Sequence, residues 1–250
     1  MRRRYRILLP ALIAGAPLLA VAQSTCTSDG QPQPRTVYER FINADCASCW
    51  TSAPGHAPGA SAVVVDWIVP GSLGDDAPLA AAATRDGLER LQALQRPAPP
   101  AATDTFISDV APPGAIAGRL RVARGPAVND YAGTGISLVR NAGAAKRGMV
   151  AAGSYPFTLL LVERIPAGTE GSPVVRHLVR NALHGTWSAS DSAGAPRAAS
   201  ARNAWLFMEN RPMRIPDGAQ PDRLEVVGWM QDGAGRMLAA AQAPCRAGAD

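Results

Sequence analysis

Residues 36–49 read Thr36-Val37-Tyr38-Glu39-Arg40-Phe41-Ile42-Asn43 and then Ala44-Asp45-Cys46-Ala47-Ser48-Cys49. The first of these runs is rich in β-branched and aromatic side chains and predicts a strand. A Cys-x-x-Cys box follows it at once. Two thiols at this spacing close into a small disulfide, hold a metal, or exchange electrons with a partner. Beyond the box, Pro54, Gly55, Pro58 and Gly59 forbid a long helix. Ser61 to Val69 (SAVVVDWIV) is a continuous apolar run and reads as a second, buried strand.

The N-terminus sets the compartment. Arg2, Arg3, Arg4 and Arg6 form a positive patch ahead of the apolar run Ile7 to Ala22, which ends in Ala20-Val21-Ala22. This is the pattern of a cleavable export signal covering residues 1–22, with Gln23 as the mature N-terminus. Pro10, Gly15 and Pro17 interrupt the run, and it is shorter than the roughly 20 apolar residues of a spanning helix. No membrane span is therefore expected in the mature chain, and the expected location is the periplasm or the cell exterior. Four of the 25 basic residues belong to the leader, which leaves 21 against 20 acidic ones. The pI of 9.4 is thus largely a property of the leader. With no basic stripe interleaved with aromatics, nucleic-acid binding has no support.

Four cysteines in an oxidising compartment are expected to pair evenly. With Cys46–Cys49 local, Cys26 near the start of the mature chain and Cys245 near its end are left to bond each other. Domain termini often lie close enough to permit it.

Asp75 and Asp76 predict the start of a helix that runs to Arg96, where Pro97 stops it. Leu79, Ala83, Leu91 and Leu94 would line its inner face, and Gly87 weakens it. Pro97 to Thr105 reads as a linker and Thr105 to Val110 as a short strand. From about Ala117 the pattern changes to short strands at Gly118–Arg124, Gly135–Arg140, Phe157–Ile165, Ala204–Glu209, Leu224–Gln231 and Arg236–Ala243. Clusters of Gly, Pro, Asn and Asp separate them, as in an antiparallel sandwich. Asp232 to Gly235 reads as the tight turn of a final hairpin. One helix is expected among the strands, capped by Ser172 with Pro173 in its first turn. Val174, Val175, Leu178, Val179 and Leu183 are helically spaced along it, and Gly185 closes it.

The strand, the Cys46/Cys49 box and the second strand with Val65-Asp66-Trp67 resemble exported bacterial thioredoxin-like proteins, including the outer-membrane-protein-twenty-eight-like group. Leu161-Val162-Glu163, Arg176-His177-Leu178-Val179-Arg180, Gly185-Thr186-Trp187, Val226-Val227-Gly228-Trp229 and Met237 to Ala241 are similar to the C-terminal β-sandwich of that group. The resemblance implies an α+β protein. An abbreviated thioredoxin-like module would occupy residues 23–116 and an antiparallel β-sandwich module residues 117–250. It also implies Pro112-Pro113 as the proline element opposite the cysteines. Departures accompany the match. Pro54 and Gly55 cut short the helix that should begin in the box, no third helix follows Pro112-Pro113, and Asp45 stands where a tryptophan is usual.

Two functional readings stand side by side. In the first, Cys46 and Cys49 carry out thiol–disulfide exchange with an unknown protein partner, Cys46 attacking and Cys49 resolving. In the second, the cysteines only staple a non-catalytic binding or structural protein. Asp45 beside Cys46 disfavours a thiolate and argues for an inert bond. Cys46, Cys49 and His56 could supply three metal ligands, but no fourth is identifiable, and no cofactor is expected. Asp66 could serve as a proton acceptor for the second thiol, though a pairing with an arginine or a backbone amide is the preferred reading. His177 and His184, with Arg176 and Arg180, would form the polar side of the expected helix. A nucleophile elbow, a phosphate loop and a dinucleotide fingerprint are all absent.

Overall fold

The computed structural model describes residues 26–55, 58–116, 118–140, 153–188 and 205–245. The run at the head of the sequence forms β2 (Thr36–Asn43), followed by α1 (Ala47–Thr51) and β3 (Ala62–Val69). β2 and β3 pair in parallel from Thr36↔Ala62 to Asn43↔Val69, so α1 lies on the crossover between them. The register drops the apolar residues of both strands on the same two faces. Val37, Phe41, Val63, Val65, Trp67 and Val69 join one buried cluster, while Ile42 and Ile68 join another.

This unit is one end of a larger sheet. β4 (Thr103–Asp109) adds antiparallel to β2 as an edge strand. On the other side β3 pairs in parallel with β8 (Arg176–Ser188) at Asp66↔Leu178. β7 (Ser154–Ile165), β10 (Leu224–Gln231) and β11 (Met237–Ala243) complete the order β11-β10-β7-β8-β3-β2-β4. A second sheet of four strands has the order β1-β5-β6-β9, built from β1 (Cys26–Thr27), β5 (Gly118–Val128), β6 (Tyr131–Arg140) and β9 (Trp205–Arg214). The smaller sheet covers the β7-β10-β11 end of the larger one. Leu120, Val122, Ile136 and Leu138 there meet Phe157, Leu159, Leu161 and Val226. On the opposite face, α2 (Arg85–Ala93) sets Leu88 and Leu91 against the Trp67 and Trp229 layer.

The expectation of an α+β thioredoxin-like module followed by a sandwich is overturned. Of the described residues 52% are in strands and 12% are helical, with two α-helices and two sheets among them, and the fold is β-rich. Strands from either side of residue 117 share both sheets, through β1–β5 and β3–β8. The helix expected over residues 75–96 is reduced to α2. Two 3-10 turns, Gly74–Asp76 and Ala80–Ala82, precede it, and Pro78 between them cannot donate a helical hydrogen bond.

The helix expected from Ser172 to Gly185 is strand β8, paired with β7 along its length. Its helix-like spacing has a physical source. Leu178 and Val179 are buried on opposite faces, which erases alternation, and a bulge then shifts the register between Val162↔Val179 and Leu161↔Asn181. Gly185 closes no helix. A Cβ there would lie 2.4 Å from Cζ of Phe157, so glycine is what lets that ring lie against the strand and stack on Trp187 at 4.4 Å. The remaining described strands overlap the runs read from the sequence, except β1 (Cys26–Thr27), for which no strand was expected, and Asp232–Gly235 forms the expected turn between β10 and β11.

Both expected disulfides are present. Cys26–Cys245 joins β1 to the residues after β11 across 219 positions, with Cα atoms 5.0 Å apart, and Cys46–Cys49 closes the box with Cα atoms 5.3 Å apart. No described helix is long and apolar enough to cross a membrane. The expected leader lies outside the described residues.

Candidate functional site: the Cys46–Cys49 groove

The turn into α1 is held by Asn43 at the end of β2. Its Oδ1 accepts from the Asp45 amide at 2.8 Å, and its Nδ2 donates to the Pro99 carbonyl at 2.8 Å. The Asn43 amide also donates to Ala102 O at 3.0 Å. One side chain thereby fixes both the cysteine turn and the segment opposite it. Cys46 is the N-cap of α1, and its Sγ accepts from the Cys49 amide at 3.2 Å. Cys46 is only 7% exposed while Cys49 is half-buried. Cys49 is thus the more exposed residue of the pair, whereas the sequence reading has Cys46 as the attacking cysteine.

The Asp45 carboxylate is committed to the 71–73 turn. It accepts from Ser72 N at 2.7 Å, Ser72 Oγ at 2.8 Å and Leu73 N at 3.3 Å. Partial desolvation works to raise its pKa, but these hydrogen bonds outweigh that and hold the carboxyl below its ordinary range. The seat requires Gly71, where a Cβ would fall 2.1 Å from the Asp45 oxygen. Asp45 therefore anchors the 71–73 turn to the cysteine loop.

The C-terminal end of α1 is completed from a distant strand. Arg176, at the start of β8, is 1% exposed. Its Nη2 donates to the carbonyls of Cys49, Trp50 and Ser52 at 3.1, 2.7 and 2.9 Å, and its Nε donates to Ser172 Oγ at 2.9 Å. The guanidinium lies 5.2 Å from the Trp50 ring, whose Nε1 donates to Glu170 O at 2.7 Å. A helix this short has little stability of its own. Arg176 supplies the partners that its last carbonyls lack.

Cys46 and Cys49 line an open groove of about 780 Å³. The facing wall is Ala101, Ala102 and Thr103, continuing along the upper face of β4 through Thr105 to Ile107. Tyr38 and Arg176 also line the groove, and no acidic residue among those described does. Pro112-Pro113 is not the opposing element, and the described residues contain no cis peptide bond.

The other residues singled out by sequence lie apart from this chemistry. Asp66 accepts from Arg40 Nε and Nη2 at 2.5 and 2.9 Å and from the His177 amide at 2.6 Å. It is a buried partner of an arginine and an amide, with those contacts taking up both oxygens. His177 Nδ1 lies 3.0 Å from Glu225 Oε1, and His184 Nδ1 lies 3.1 Å from Thr158 Oγ1. Arg180 pairs with buried Glu163 at 2.6 Å. These residues belong to a strand, not to the polar side of a helix. His56 lies outside the described residues, and among those described no cluster of His, Cys, Asp and Glu could hold a metal ion.

Arg176 and Asn43 are the site residues whose roles sequence reasoning missed. The contacts of Arg176 are to main-chain carbonyls 124 to 127 residues away, which no local pattern reveals. Its position just before the apolar pair Leu178-Val179 was the one available signal. Compared with known proteins, the chain matches no family model, no curated protein and no solved structure.

Proposed function

We propose that this is an exported protein that carries out thiol–disulfide exchange with a polypeptide partner through Cys46 and Cys49. The observation that carries the reading is the position of the disulfide on the wall of the open groove, with Cys49 accessible. Four paired cysteines fit an oxidising compartment. A partner thiolate attacks Cys49 Sγ, the Cys46–Cys49 bond breaks, and Cys46 leaves with the electron pair, accepting a hydrogen bond from the Cys49 amide. A second partner thiolate then attacks the mixed disulfide and releases Cys49. The partner loses two electrons and two protons as its own disulfide forms, and both cysteines end reduced. Mixed-disulfide trapping tests this. Cys46→Ser should accumulate adducts through Cys49, and Cys49→Ser should accumulate few. Equal, adduct-free behaviour of the two variants would refute exchange.

One observation favours a second reading, a binding protein whose Cys46–Cys49 bond is structural. Arg176 already fixes the end of α1, and the disulfide would fix its beginning. In that case the two cysteine substitutions lower stability by similar amounts and trap nothing.

A further inference from the structure

We propose that the groove beside Cys46–Cys49 binds an extended peptide carrying a carboxylate, and that Arg176 is the residue that pairs with it. Three buried arginines lie around β2, and they differ in one respect. Arg40 is paired with Asp66, and Arg90 donates to both oxygens of Glu39 at 2.9 and 2.7 Å. Among the described residues, Arg176 has no carboxylate at ion-pair distance. A buried cation without a counter-charge carries an uncompensated desolvation cost. Carbonyl dipoles at the end of α1 offset part of it. Burial lowers the proton affinity of Arg176, the charge of Asp66 works against this, and Arg40 adds to it.

The geometry leaves room for the missing partner. Nε and Nη2 hold the hydrogen bonds of this side chain to described residues, which leaves Nη1 for an incoming acceptor. Those bonds also lock the guanidinium plane, so a carboxylate meets a preorganised donor. Hydroxyls of Ser48, Ser52, Thr103 and Thr105 line the groove, and among the described residues no acidic side chain lines it to repel an anion.

The shape selects an extended occupant. Thr103, Thr105 and Ile107 stand on one face of β4, which among the described strands pairs only with β2. At the strand rise they span about 13 Å, the length of a few extended residues. Ile107 is 52% exposed and offers an apolar contact at the far end. The carboxylate can come from an acidic side chain or from a peptide C-terminus.

The proposal uses the same groove as the exchange reading, and binding to the oxidised protein separates the two. Amide shifts of the disulfide-intact full chain are followed with three short, cysteine-free peptides. One is capped at both ends and carries a glutamate, one is its capped glutamine counterpart, and one is the glutamine peptide with a free C-terminus. The glutamate peptide, the free-C-terminus peptide or both should bind on the order of tenfold tighter than the capped glutamine peptide at low salt. Saturable shifts should be confined to the groove: residues 46–55 and 101–107, Tyr38, and Arg176 with its immediate neighbours. The preference should shrink with added salt and disappear in Arg176→Gln, with Arg176→Lys retaining part of it. Which of the two acidic peptides wins identifies the source of the carboxylate. Equal binding of all three, no binding, a salt-independent preference or shifts elsewhere would overturn the proposal, and all of these are read on the wild-type chain alone. Tight glutamate binding by a protein whose disulfide exchanges with no thiol would remove the exchange reading and leave the subsite standing.

Discussion

The two ends of the seven-stranded sheet are built on different principles. At the β7-β10-β11 end the smaller sheet closes over Leu159, Leu161 and Val226, and Tyr155, Phe157, Trp187 and Phe207 fill the layer with ring contacts of 4.4 to 6.1 Å. At the β2-β3-β4 end buried charge is set into the apolar layer of Phe41, Trp67 and Ile42. Glu39 with Arg90 occupies one face and Arg40 with Asp66 the other, and a helix of five residues covers the second. Burial of apolar area dominates the first end, although Glu163 and Glu225 are buried there too, beside Arg180 and His177. The second depends on directed hydrogen bonds, which cost most when one partner is lost. The groove lies at the end where the chain leaves the sheet face open.

That contrast can be broken by substitution. Losing Cys26–Cys245, which ties the small sheet to the end of β11, should cost at most about 5 kcal/mol by the chain-entropy estimate for so long a loop. Chemical denaturation of Cys26→Ser/Cys245→Ser checks it, and an unchanged midpoint would mean that the two sheets hold without the bond. At the packed end, Trp187→Ala should cost about 3–5 kcal/mol through the cavity it leaves. At the groove end, Arg176→Ala strips three carbonyls and a hydroxyl of their donor, with an expected loss of about 3 kcal/mol. Hydrogen exchange sharpens the comparison: the Trp187 change should lower protection across both sheets, whereas the Arg176 change should act first on residues 46–55.

The short disulfide should matter less. Removing Cys46–Cys49 releases a loop of only a few residues, and its entropic contribution is about 2 kcal/mol. A much larger loss in both cysteine variants would favour the structural reading.

The two ends also differ in how readable they were. β5 shows the alternation of a strand with one face inward, Gly118, Leu120, Val122 and Arg124 buried and Arg119 exposed, and its run was legible. So were the apolar blocks of β7 and β10. β8 was not, because Leu178 and Val179 are both buried and a bulge follows them, which together imitate helical spacing. At the site, Cys46 and Cys49 were legible from spacing alone, and the Cys26–Cys245 pairing followed from parity. The partners of Asp45, Ser72 and Leu73, lie 27 and 28 residues further on and could not be read from its place beside Cys46. Arg176 was illegible as a site residue because its partners are main-chain atoms set by tertiary structure.

Asp45 gives the smallest effect and a sign that can be checked. Its folded-state pKa lies below the ordinary 3.8 because the Ser72 and Leu73 hydrogen bonds outweigh desolvation. Its contribution to stability is then fully present above the unfolded value and is lost as pH falls through the folded one. Melting temperatures recorded from neutral to strongly acidic pH should show a shallower acid limb in Asp45→Asn than in the wild type. Parallel acid limbs would mean that the seat on the 71–73 turn adds nothing.

The central claim, that the groove end carries an exchangeable disulfide while the packed end carries a structural one, is tested most directly by the reduction potential of Cys46–Cys49. It is measured in a glutathione redox series with Cys26→Ser/Cys245→Ser removing the second bond. Exchange chemistry predicts a potential between about −270 and −120 mV, in the range of dithiol oxidoreductases. A value below about −300 mV, typical of structural disulfides, would contradict the account.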